Sequence, residues 1–84
     1  SPNHEINYWK NAEGVECDFV IREGLRVWDL IQVVYEFRDE KTKRREIKGL
    51  IECARAFGLK KGLIITRSHE AEEKAGGIKI IVTC

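Results

Sequence analysis

No run in this chain approaches the ~20 apolar residues that a membrane-spanning helix needs. Its 15 basic and 14 acidic side chains leave a formal net charge of +1. There is thus no global field, and any attraction for nucleic acid must come from local clustering. Cysteine is scarce: Cys17, Cys53 and Cys84 are odd in number, widely spaced and without a C-x-x-C pair. That pattern argues against a disulfide framework or a zinc site and for a reducing, cytoplasmic setting. The two histidines, His4 and His69, lie in polar segments with no ligand-spaced companion, so neither is assigned a role. Gly76-Gly77 is not a phosphate loop, because no lysine-serine pair or helix start follows it. Internal repeats, low-complexity tracts and linkers are absent. The polar start Ser1-Pro2-Asn3-His4-Glu5 reads as no signal peptide. A start without Met and a stop directly after a strand-like segment suggest a fragment of a longer protein.

What is present is globular: 43% hydrophobic and 35% charged residues in 84. A chain this short makes one domain over residues 1–84 and buries only about 60–65% of its unfolded surface. Docking onto a larger chain or a second copy would help so modest a core. Cys17 and Cys53 fall at apolar positions of a strand and a helix and read as small buried hydrophobes, while Cys84 reads as a free thiol.

Periodicity supplies the elements. Glu5–Lys10 alternates polar and apolar and reads as a strand. The turn cluster Asn11-Ala12-Glu13-Gly14 leads to a return strand over 15–22. Glu23-Gly24 then marks a second hairpin into a strand over 28–35, which is apolar on both faces, as a central strand covered on both sides would be. Asp39 is placed as the N-cap of a helix over Glu40–Phe57 with Gly58 as its C-cap. Ile47, Leu50, Ile51 and Ala54 form the helix's apolar stripe, while Lys41, Arg44, Arg45, Lys48, Glu52 and Arg55 share the opposite arc. A short strand over 63–66 should run parallel to the 28–35 strand, because a helix joins the two. The charged stretch 67–77 reads as a loop or one frayed turn, and Ile78–Thr83 as a last strand. The expected fold is α/β with a mixed α+β sheet, in the order β-β-β-α-β-β. Trp9 and Trp28 are expected to pack.

Strict alternation puts Asp18 on the opposite face of its strand from Cys17 and Phe19, and Gln32 with Val34 on one face of the next strand. An acid facing an i, i+2 pair on a hairpin partner is a geometry that can build a metal site. The bland reading of Asp18 is a solvated or hydrogen-bonded structural acid. Gln32, in an apolar strand, costs on the order of 1–3 kcal/mol if unpaired, so it needs a partner near Asp18 or on the backbone. The basic arc reads most simply as a solvated face.

These residues resemble a family. A hairpin carrying an acid, then an acid-x-lysine strand, a helix and another strand is the core of the restriction-endonuclease-like, or PD-(D/E)XK, fold. Asn7-Tyr8-Trp9-Lys10 and Glu16-Cys17-Asp18-Phe19-Val20-Ile21 look like segments of a domain found behind the ATPase module of archaeal and bacterial AAA-type ATPases. Leu30-Ile31-Gln32-Val33 and the Thr42…Arg45-Glu46-Ile47…Leu50 helix are similar to its later segments. The resemblance implies an endonuclease-like core within an ATPase-type protein. It also implies a site at which Asp18 matches the first carboxylate, Gln32 stands at the second and Val34 stands at the lysine. Mg²⁺ or Mn²⁺ would be the cofactor if the site acts, with Glu16 sharing the ion and Glu5 or Glu36 as added ligands. Lys48 is the lysine that would reach in from the helix. With acid and lysine both replaced, the expected function is a non-catalytic accessory domain of an ATPase that binds nucleic acid or a protein partner. The alternatives are an active nuclease with a migrated site and a module that only dimerises. Nucleic acid would meet Lys41, Arg44, Arg45 and Lys48, with Lys43 beside them. The other expected contacts are the attached ATPase module or a second copy, and no membrane.

Overall fold

A computed structural model gives the architecture and describes residues 4–67 and 69–84. The polar start at Ser1 to Asn3 and Ser68 within the 67–77 stretch lie outside the described residues. The elements are β1 (Glu5–Lys10), β2 (Glu16–Glu23), β3 (Arg26–Val33), α1 (Glu40–Phe57), β4 (Lys61–Ile65), β5 (Ala71–Ala75) and β6 (Ile78–Thr83). They form one six-stranded mixed sheet in the order β1-β2-β3-β4-β6-β5. β1, β2 and β3 make an antiparallel meander, and β3, β4 and β6 are parallel neighbours. The expected β-β-β-α-β-β order stands, with one strand added.

That strand corrects the reading of 67–77 as a loop. Ala71–Ala75 pairs antiparallel with β6 across the Gly76-Gly77 turn, where both glycines take positive φ (58° and 79°) as a tight hairpin requires. β3 also begins and ends two residues earlier than the 28–35 span.

The helix is bounded by local chemistry. The Asp39 carboxylate accepts from the Thr42 N–H at 2.7 Å, and Gly58 closes the helix at φ 71°. Its inner face buries Leu50, Cys53 and Ala54 completely, with Ile47 and Ile51 partly covered. Beneath it lie Cys17, Val20, Leu30, Val34, Ile64, Ile78, Ile80 and Val82. Cys17 and Cys53 are buried free thiols and Cys84 is an exposed one.

Two details depart from simple alternation. The β1–β2 register shifts so that Asn7 faces Val20 while Trp9 faces Cys17. This bulge puts one extra residue on β2. Cys17 and Val20, three apart, therefore both enter the core, and Phe19 leaves Cys17's face for the open one. Trp28, expected to pack, is 39% exposed beneath the Arg26 guanidinium at 3.9 Å. Trp9 does pack, edge-on to Phe57.

Helix α1 covers one face of the sheet. The other face, expected to be covered where β3 passes, carries no element of the described chain.

Candidate functional site

The bulge on β2 decides what happens around Asp18. Its N–H donates to Gln32 Oε1 at 2.7 Å, and one of its carboxylate oxygens accepts from the Val33 N–H at 3.0 Å. Asp18 thereby ties β2 to β3 just beyond the last paired residues, Phe19 and Ile31. Gln32 completes the joint. Its amide nitrogen donates to the Glu16 carbonyl at 2.9 Å and to the Glu46 carbonyl at 3.3 Å, tying β2, β3 and α1 together. The buried amide is thus satisfied at both ends, as its 2% exposure requires.

Gly49 makes this approach possible. A Cβ there would collide with the Glu16 carbonyl oxygen and the Gln32 amide nitrogen. A glycine inside a helix costs about 1 kcal/mol against alanine, and here it admits the β2 backbone.

Beside the joint is a cavity of about 180 Å³ lined by Glu16, Asp18, Gln32, Arg45, Glu46 and Lys48, together with Glu13, Gly14 and Val15. The fold therefore brings Asp18, Gln32 and Glu16 together, and adds Arg45 and Lys48 from the helix. It does not bring in Val34, which is core. Glu5 and Glu36 are paired with Arg22 and Arg67, each at 3.3 Å, and line no part of the cavity.

Glu46 is the residue that sequence reasoning missed. Burial, then the neighbouring Asp18, pushes its carboxyl above the usual glutamate range. Glu16 adds to this and Arg45 opposes it. The available signal was Gly49, three residues on along the same helix face, which marks where the helix meets a backbone.

Four acids, Glu13, Glu16, Asp18 and Glu46, and two cations thus share one cleft, but the donors do not make a metal cage. Among the described residues, no three His, Cys, Asp or Glu side chains converge so as to hold an ion. One Glu16 oxygen accepts from the Tyr8 hydroxyl, and Asp18 is bonded to the β3 backbone. Lys48 leans toward Glu52 at 3.8 Å, and Arg45 toward Glu46 at 3.5 Å. A divalent ion would have to take these carboxylates from their partners.

The basic arc is divided. Lys41 and Arg44 are exposed and make no ion pair among the described residues, while Lys43 is held by Glu73 of β5 at 3.0 Å. Arg44, Lys48 and Arg55 also rim a separate groove floored by Ile47 and Ile51. His4 and His69 touch Trp28 and Phe37 edge-on. No helix among the described residues is long and apolar enough to cross a membrane.

A family model described as "Domain of unknown function (DUF4143)" matches residues 1–84. No curated protein and no solved structure matches the chain.

Proposed function

The chain belongs to the DUF4143 family along its whole length, and from that premise we propose that it is a non-catalytic, restriction-endonuclease-like accessory domain of an ATPase. Its work is to bind a partner. The observation that carries the reading is the state of the two positions that a nuclease would use for its second acid and its lysine. The Gln32 amide donates both its N–H groups to Glu16 and Glu46 and accepts from Asp18, and Val34 is a core side chain.

Metal-dependent cleavage needs carboxylates to hold the ion and a cation to orient water or offset developing charge. Losing one stabilising group of that kind costs roughly 10²–10³-fold, and here two are replaced. The ATPase association is supported by the likeness of the Asn7-Tyr8-Trp9-Lys10 and Glu16–Ile21 segments to ATPase-appended domains. Of the two partner classes, the uncovered sheet face favours protein. The exposed Lys41 and Arg44 support nucleic acid less strongly, because Arg45 and Lys48 have acidic neighbours.

One observation favours a second reading, an active nuclease with a migrated site: Glu46 and Lys48 reach the Asp18 cavity from the helix. Incubation with single- and double-stranded DNA in Mg²⁺ or Mn²⁺ separates the two. The expected result is no metal-dependent product, with Asp18→Ala indistinguishable from the parent. Robust cleavage by the unmodified chain, abolished by Asp18→Ala, would promote the migrated-site nuclease.

A further inference from the structure

We infer that the open face of the sheet is the seat of an amphipathic α-helix from a protein partner, one that carries acidic residues beside its apolar stripe. The inference does not depend on whether the Asp18 cavity cleaves anything. Three adjacent strands, β3, β4 and β6, are parallel. Parallel strands belong to sheets with both faces covered, and helices are the elements that cover them. Helix α1 does this on one side for Leu30, Ile64, Ile80 and Val82.

On the other side, register aligns Phe19, Ile31, Leu63 and Ile81 in one continuous row. Val33 and Ile65 form the next row. Phe19 is 41% exposed, Val33 50% and Ile65 37%. The first row crosses four strands, three spacings of ~4.8 Å, or about 14 Å, enough to seat a helix of ~10 Å diameter. An apolar band of this continuity, on strands of parallel type, is an interaction surface rather than scattered exposure.

The charges at its margin select the occupant. Lys61, Lys79 and Lys74 stand side by side in the neighbouring row on the same face. Lys79 meets Glu72 at 3.6 Å, whereas Lys61 and Lys74 make no ion pair among the described residues. Asp29, two residues before Ile31, and Glu23, across from Arg26, are further acids on that face. At the far end of the band, Arg67 lies over Tyr35 and is paired with Glu36. A second copy docked face to face would set the same lysines against one another or against this neutralised end, with only Asp29 and Glu23 to answer three lysines. A helix with acidic flanks supplies what the margin lacks.

The test uses two synthetic amphipathic peptides with leucine at i, i+3, i+4 and i+7, one flanked by glutamate and its twin by lysine. Both are titrated into the intact chain, with binding read by calorimetry and mapped by methyl NMR. The glutamate peptide should bind several-fold more tightly than the lysine twin, a preference that salt weakens. Shifts should fall on Ile31, Leu63, Ile65 and Ile81 and spare Ile80. Ile65→Asp, at an exposed position that can change without opening the core, should abolish binding. Lys61→Glu with Lys74→Glu should invert the peptide preference. Equal affinity for both peptides, no binding, or shifts confined to Ile47 and Ile51 would each overturn the proposal. So would self-association of the chain that Ile65→Asp disrupts, which would assign the face to a second copy.

Discussion

Exchanging Gln32 for glutamate looks like a restoration of the missing acid, yet the local bonding opposes it. The amide nitrogen faces two carbonyl oxygens, those of Glu16 and Glu46. A carboxylate there would confront two acceptors in a buried place, so the group would protonate and still leave one carbonyl unpaired. Gln32→Glu should therefore cost about 1–3 kcal/mol in urea unfolding and yield no metal-dependent nicking. A variant as stable as the parent would mean that the joint is not held by this amide. Glu46 gives a prediction in pH. Its carboxyl is raised above the ordinary 4.5 by burial and then by Asp18. Between 4.5 and the raised value the folded state binds more protons than the unfolded chain. Stability from this group is then fully present below the ordinary value and falls as pH rises through the window. Glu46→Gln should remove that fall and leave the chain more stable than the parent near neutral pH. Urea melts at stepped pH check this, and a less stable variant near neutrality would count against it.

At the scale of elements, the helix is fastened to the sheet by a packed side chain and by a missing one. Leu50 is fully buried, and its methyls lie 3.0 and 3.2 Å from where a Cβ on Gly62 would stand. Leu50→Ala should cost about 2–5 kcal/mol, a large share of the stability of a chain this small. Gly49→Ala adds a methyl that meets backbone, which cannot swing away as a side chain can, so α1 must lift from β2. The expected cost is at least about 1–3 kcal/mol, despite alanine's better helix propensity. Thermal melts of the two variants give the comparison. A neutral Gly49→Ala would show that α1 does not need the close approach.

For the whole molecule, charge is balanced overall and distributed unevenly. If duplex DNA binds at all, the exposed cations of α1 should hold it weakly, without sequence preference and with a steep salt dependence. Neutralising Arg44, Arg45 and Lys48 together should lower the slope of log K against log salt by at most about three units. The acidic neighbours of Arg45 and Lys48 should hold the change below that limit. Fluorescence anisotropy across a salt series measures it. A triple variant with an unchanged slope would remove the nucleic-acid reading and leave the sheet face as the binding surface.

The strands β1 and β6 and the helix were legible in the sequence because their causes are local. Alternation sets a strand's faces, Asp39 and Gly58 cap the helix, and Ile47, Leu50, Ile51 and Ala54 recur at helical spacing. The parallel pairing of β3 with β4 followed from a helix lying between two strands. The cleft was half legible: Asp18, Gln32 and Glu16 were named, but Glu46 was not, because the acids that surround it, Asp18 and Glu16, come from a strand remote in sequence. Strand β5 was hidden for a similar reason. Ala71-Glu72-Glu73-Lys74-Ala75 has little strand character of its own and is extended because β6 offers it a ladder. The bulge that separates Cys17 from Phe19 is likewise a matter of register between chains of hydrogen bonds, and no local pattern announces it. Apolar residues on both faces of β3 raised the expectation that both would be covered, and within the described chain only one is. Only the tertiary structure decided that α1 takes the Leu30 and Gln32 face and leaves the Ile31 and Val33 face open, since one helix of 18 residues can cover only one side of a six-stranded sheet.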